Sequence, residues 1–106
     1  MGVDYACEKF TSALHYAVGS SVSVQQRLEG VMQGVGHLDR NDFADDETWE
    51  RFKKLLAETT KLPAQGNEGT ITATTSKMSD EEAAKWLRVA FELYSDITEQ
   101  YAKQTR

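Results

Sequence analysis

The sequence predicts an all-α protein in which four amphipathic helices bury one shared core. Apolar residues recur at three- and four-residue steps in four segments, and capping-box patterns precede two of them. A chain of 106 residues fits one domain and is too short for two ordinary ones. We therefore expect one domain over residues 1–106, either a four-helix bundle or an irregular four-helix domain.

The first two helices are predicted over residues 3–18 and 24–37. Ser23 and Gln26 form a capping-box pattern, in which each side chain satisfies a free amide of the same turn. Each of these helices has apolar residues stacked on one face, and these residues are the predicted core positions. They are Val3, Ala6, Phe10, Ala13, Leu14 and Ala17 on the first helix, and Val24, Leu28, Val31, Met32 and Val35 on the second.

The third and fourth helices are predicted over residues 45–60 and 80–103. Acidic residues open both, where negative charge suits the helix dipole, and Pro63 ends the third helix before it. Ser79 and Glu82 form a second capping box. The apolar arc of the fourth helix covers about half its circumference, wider than on a simple surface helix. This helix is predicted to be the centre of the bundle or part of a subunit interface.

The connection over residues 61–78 lacks helical periodicity and contains two glycines. Within it, Thr70, Ile71 and Thr72 belong to a β-branched run in which threonine alternates with small or apolar residues. Loops of this length are uncommon in compact domains and are often functional. We expect either a lid, an edge strand that pairs with a partner, or a crossover packed on the core through Ile71.

Charge and composition exclude several classes of function. Acidic residues outnumber basic ones by 17 to 12, and a net charge of -5 argues against binding to nucleic acid. No apolar run approaches the ~20 residues that span a bilayer, and no signal peptide is evident. One cysteine permits no internal disulfide, and no spacing matches a metal site. We expect a cytoplasmic protein with no membrane segment and no cofactor.

The second predicted helix carries an unusual glycine-bearing face. Arg27, Gly30, Gly34 and His37 share this face, opposite the apolar one, and each helical glycine costs about 1 kcal/mol relative to alanine. A functional interpretation is a groove where a partner helix or a ligand approaches the backbone. The structural interpretation is close packing against another helix of the same bundle, or an early end of this helix near Gly34.

Two tyrosines of the first helix lie off its apolar stripe. Tyr5 and Tyr16 could anchor an interface, because tyrosine combines an apolar ring with a polar tip, or could form a second packing ridge. The favoured function is a non-catalytic interaction or regulatory module that binds another protein or itself. Its contacts would be the glycine-bearing face, the wide face of the fourth helix or the threonine-rich connection.

Two other functions stay open at this stage. A small-molecule-binding or enzymatic protein would have a pocket lined by Met32, Trp49, Trp86 and Tyr94. An acidic mimic that blocks a nucleic-acid-binding protein is a weaker alternative, for which a stripe of carboxylates is expected. No catalytic motif is present, so an enzyme is the less favoured interpretation.

Overall fold

The computed structural model describes residues 2–19, 21–64 and 66–104. Within them the chain is all α, with no strand. The α-helices, in chain order, are α1 (Val3–Gly19), α2 (Val24–Val35), α3 (Asp46–Thr59), α4 (Gly69–Thr75) and α5 (Asp80–Gln104). A short 3-10 helix, Arg40–Asp42, connects α2 to α3. The all-α prediction is confirmed, but the described residues contain five α-helices where four were predicted.

Helix α5 packs against α1, α2 and α3, and helix α2 packs against α1, α4 and α5. Helices α1, α2 and α5 pack as a bundle, and the short α4 closes the fold against α2 and α3. The wide apolar arc of α5 therefore faces three helices of the same chain. Buried residues along this helix include Ala83, Trp86, Ala90, Leu93 and Ile97.

The predicted connection over residues 61–78 is wrong between Gly69 and Thr75, which form α4 instead of a loop or an edge strand. The Thr74 and Thr75 hydroxyls donate to the carbonyl oxygens one turn earlier, at 2.7 and 2.9 Å. Threonine in a helix satisfies its hydroxyl in this way, so these side chains can be buried. The tertiary contacts of α4 thus outweigh the strand preference of its β-branched residues.

Two further contacts fix α4 in place. The amide of Leu62 donates to the Thr74 hydroxyl at 2.9 Å, and the Thr72 hydroxyl donates to a Glu29 carboxylate oxygen on α2 at 2.7 Å. Ile71 is half-buried and packs on the core, as one of the predicted alternatives for this segment required.

Helix α2 ends at Val35, two residues before the predicted end at His37. Gly36 caps the helix, and its amide donates to the Met32 carbonyl oxygen at 2.8 Å. After this turn Leu38 is buried in the core. The helix therefore ends close to Gly34, as one of the predicted alternatives required.

The capping box predicted at Ser23 is confirmed in full, and the one predicted at Ser79 in part. At Ser23 both bonds of the capping box are present. At Ser79 the hydroxyl accepts from the Glu82 amide at 3.1 Å, whereas the Glu82 carboxylate lies 3.9 Å from Lys61 Nζ. Helix α3 begins after Asp45, whose carboxylate accepts from the Thr48 amide at 2.8 Å.

Candidate functional site

The glycine-bearing face of α2 lies against α1 of the same chain. A Cβ atom added at Gly30 would overlap the ring of Tyr16, and one added at Gly34 would lie 3.1 Å from the Cβ of Ala13. The close approach that these glycines allow is thus made by α1. This arrangement is the close packing that the structural interpretation of the glycines predicted.

His37, another predicted member of this face, also lies near α1. The hydroxyl of Tyr5 lies 2.8 Å from Nε2 of His37, and the two rings meet edge to face at 5.7 Å. Lys9 Nζ lies 5.3 Å from the centre of the Tyr5 ring. Arg27 is half-buried on α2, whereas half of the Tyr16 surface is exposed, at 50%. The structure therefore joins Tyr5 with His37 and Tyr16 with Gly30, each pair across the α1–α2 contact.

The predicted site residues of the threonine-rich segment lie on α4. Thr70 is exposed, Ile71 packs on the core and Thr72 bonds to Glu29. Because the segment is helical, its backbone amides bond within the helix and at its carboxyl end, where the Ser76 amide donates to the Thr72 carbonyl oxygen at 3.1 Å. The edge-strand interpretation of this segment is wrong.

The four residues predicted to line an aromatic pocket lie in different surroundings. Met32 is fully buried in the core. Trp49 stacks on Phe52, with ring centres 6.0 Å apart. Tyr94 accepts a hydrogen bond from Thr11 at 3.4 Å on another side of α5, and Trp86 lines a surface cavity between α3 and α5.

Helices α1 and α5 run antiparallel and meet along one line of side chains. Cys7 Sγ lies 4.0 Å from Thr98 Oγ1, and Thr11 Oγ1 donates to Tyr94 Oη. Each step of four residues along α1 therefore matches a step of four residues back along α5. Extending this register by helical spacing gives the set that we call the α1–α5 seam: Cys7, Thr11, Leu14, Val18, Leu87, Phe91, Tyr94 and Thr98.

The outer edge of the α1–α5 seam exposes apolar side chains. Val18 is 72% exposed and Phe91 is 38% exposed, and the register places them about one helical turn apart. None of the eight seam residues is an acid or a base of the Asp, Glu, Lys, Arg or His type. Sequence analysis did not single out Val18 or Phe91 as site residues. The sequence shows that each of them belongs to a regularly spaced set on its own helix. It does not show that the two helices pack against each other.

A polar cluster joins the start of α3 to the carboxyl-terminal half of α5. Asp45 accepts from the Thr48 hydroxyl at 2.7 Å, and Gln100 Nε2 donates to Thr48 at 3.1 Å. The side-chain and backbone bonds from Thr48 lower the pKa of Asp45 below its ordinary value of 3.8. Close by, Arg51 pairs with Asp96 at 2.6 Å. These contacts cap α3 and connect it to α5, which accounts for the acidic residues there without a ligand.

In the part of the chain that the structure describes, no group of three or more histidine, cysteine, aspartate or glutamate residues could hold a metal ion. Over the same residues, no helix is both long enough and apolar enough to cross a membrane.

Comparison of the chain with protein-family models, with curated proteins and with solved structures finds no match.

Proposed function

We propose that this chain is a non-catalytic interaction module that associates with a second copy of itself through the α1–α5 seam. The observation that carries the proposal is the exposure of Val18 and Phe91, at 72% and 38%, on two adjacent helices whose other apolar residues are mostly buried. Covering apolar surface is the main driving force for association, at roughly 25 cal/mol per Å² removed from water.

The shape of the seam suits a symmetric pair. The four seam residues on each helix have the same spacing, because the second, third and fourth follow the first by four, seven and eleven residues. A twofold interface uses the same patch on both subunits, so a flat strip formed by two antiparallel helices can face its own copy. Stacking two such helix pairs would give a four-helix layer with Phe91 near its middle, where aromatic anchors contribute most.

The charge distribution favours a second copy over a basic partner. The chain carries a net charge of -5, so a basic protein would be attracted to its acidic segments, such as residues 80–82. The seam offers such a partner no carboxylate. Two copies of an acidic chain repel each other, and an uncharged strip allows contact without placing like charges together.

The test is the molar mass of the chain in solution, measured by light scattering after size exclusion over a range of concentrations. We expect a wild-type dimer that dissociates on dilution. Phe91→Glu places a charge in the seam and should give a monomer at concentrations where the wild type is dimeric. Ala57→Glu is the control, because Ala57 is an exposed apolar residue on α3, outside the seam.

Circular dichroism of both variants checks that they remain helical. A wild-type chain that is monomeric at every concentration would overturn the proposal, including the case in which a different protein binds the seam. Equal weakening by Phe91→Glu and Ala57→Glu would also overturn it, since the contact would then not be specific to the seam.

A further inference from the structure

A surface cavity of about 260 Å³ lies between α3 and α5, on a different side of α5 from the α1–α5 seam. Helix α3 contributes two cationic side chains and helix α5 contributes one more, together with an aromatic ring, an aliphatic side chain and a carboxylate. The lining residues are Arg51, Lys54, Lys85, Trp86, Val89 and Glu92. This volume is just below the range of about 300–1,000 Å³ that is typical of small-molecule pockets.

The cavity is cationic in a chain that is acidic as a whole. Three of its lining residues are basic and one is acidic, against a net charge of -5 for the chain. Lys54 and Lys85 form no ion pair with any described residue, in contrast to Lys53 and Lys61, which pair with Glu50 and Glu58. Two ammonium groups beside this cavity are thus uncompensated by a salt bridge, whereas Arg51 is paired with Asp96 and the one carboxylate in the lining is that of Glu92.

Trp86 supplies the aromatic part of the cavity wall. Its side chain is buried, with 5% of the residue surface exposed, and its indole Nε1, itself buried, has no hydrogen-bond acceptor among the described residues. An unpaired buried donor is uncommon in proteins. Lys85 Nζ lies 4.7 Å from the centre of the Trp86 ring, so a cation and an aromatic surface are adjacent in this wall.

The chemical groups that line the cavity determine which class of ligand fits. The ammonium and guanidinium groups of Lys54, Lys85 and Arg51 favour an anionic group, and Arg51 still has donors beyond its bond to Asp96. Trp86 and Val89 favour a flat apolar group, which inorganic anions lack. We propose that this cavity binds a small organic anion in which a carboxylate is attached to an aromatic ring.

The experiment is a titration of the full-length, ¹⁵N-labelled protein, followed by NMR through the indole cross-peak of Trp86. Three probes separate the contributions: benzoate has both groups, benzyl alcohol keeps the ring without the charge, and acetate keeps the charge without the ring. We expect a saturable shift of the Trp86 cross-peak with benzoate. At the same concentrations we expect much smaller shifts with the other two probes.

Two matched variants test the role of the cations. Lys54→Gln removes a cavity charge and should weaken benzoate binding about tenfold, as expected for the loss of one charged contact. Lys53→Gln is the control, because Lys53 is the neighbouring residue on α3 and lies outside the cavity lining. Equal weakening by the two variants would overturn the proposal, since general charge would then explain the binding. An acetate shift as large as that of benzoate, or no saturable shift below about 10 mM benzoate, would overturn it as well.

Discussion

The ring of Tyr16 on α1 lies directly over the backbone of α2 at Gly30, where a Cβ atom would overlap it. This contact explains a glycine that otherwise weakens a helix by about 1 kcal/mol relative to alanine. It also shows that the glycine-bearing face of α2 serves the association of two helices of the same chain. The energy of this contact can be measured, because Tyr16 and Gly30 can be substituted separately.

Gly30→Ala is expected to destabilise the protein by about 1 kcal/mol, because the cost of overlap with the Tyr16 ring exceeds the gain in helix propensity. In a Tyr16→Ala background the same change should stabilise, since the ring is gone and only the propensity gain is left. Denaturant unfolding of the four proteins in this double-mutant cycle gives the coupling energy. Gly19→Ala is the control, because a Cβ at Gly19 meets no atom within 4 Å. Independent, additive effects of the two changes would contradict the contact.

Gly69, the first residue of α4, has a φ angle of +83°, which residues with a Cβ rarely adopt. Gly69→Ala should therefore cost about 1–3 kcal/mol of unfolding free energy, although open space surrounds the position. Gly69→Asn should cost less, because asparagine tolerates positive φ better than alanine does. Thermal and denaturant unfolding give the order of the three proteins. If alanine and asparagine are equally tolerated, the start of α4 differs from the one described.

Ser79 accepts a hydrogen bond from the Glu82 amide at the start of α5, the longest described helix. Ser79→Ala should lower the free energy of unfolding by ~1 kcal/mol, because one amide of the first turn loses its acceptor. Ser95→Ala is the same substitution at an exposed position within α5, where the serine makes no hydrogen bond to a described residue, and should have little effect. Chemical denaturation of the two variants measures the difference, and equal effects would show that this cap does not stabilise α5.

Asp45 accepts two hydrogen bonds from Thr48, and its pKa in the folded protein is lowered from 3.8. A lowered folded pKa means that the ionised carboxylate stabilises the folded state above the ordinary pKa, and that this contribution is lost as pH falls through the folded value. Asp45→Asn keeps a capping side chain but removes the titration. Its unfolding free energy should fall less than that of the wild type between pH 6 and pH 2.

Glu47→Gln serves as the control for Asp45, because it removes a neighbouring charge in the first turn of α3 without removing either bond to Thr48. Urea unfolding at each pH gives the comparison. A pH dependence that is reduced as much by Glu47→Gln as by Asp45→Asn would mean that local charge, and not the pair of hydrogen bonds, sets the acid sensitivity.

The long helices were predicted closely from periodicity and caps. Helix α3 was predicted over residues 45–60 and extends over Asp46–Thr59. Helix α5 was predicted over residues 80–103 and extends over Asp80–Gln104. Helix α4 was missed because β-branched residues and flanking glycines favour extended or loop structure locally. The spacing of Ile71, Thr74 and Met78 was the helical signal that the sequence offered, since all three are at least half-buried.

The candidate sites depended on distances that no local pattern contains. Tyr5 and His37 were each predicted as contacts for a partner, and in the structure they contact each other at 2.8 Å. The α1–α5 seam could not be predicted, because the residues of its two helices are separated by about 80 positions and the register depends on core packing. The same is true of the cavity that brings Lys54 beside Trp86.

The sequence by itself determined the helices that carry a regular apolar face and a capping residue, because hydrogen bonds between near neighbours and the 3.6-residue repeat are local properties. Only the tertiary structure decided which faces meet. It placed α1 over Gly30, folded the threonine-rich segment into α4 and left Val18 and Phe91 exposed. The physical reason is that the burial of apolar surface is not directional, so the partner of each face is selected by the packing of the whole chain.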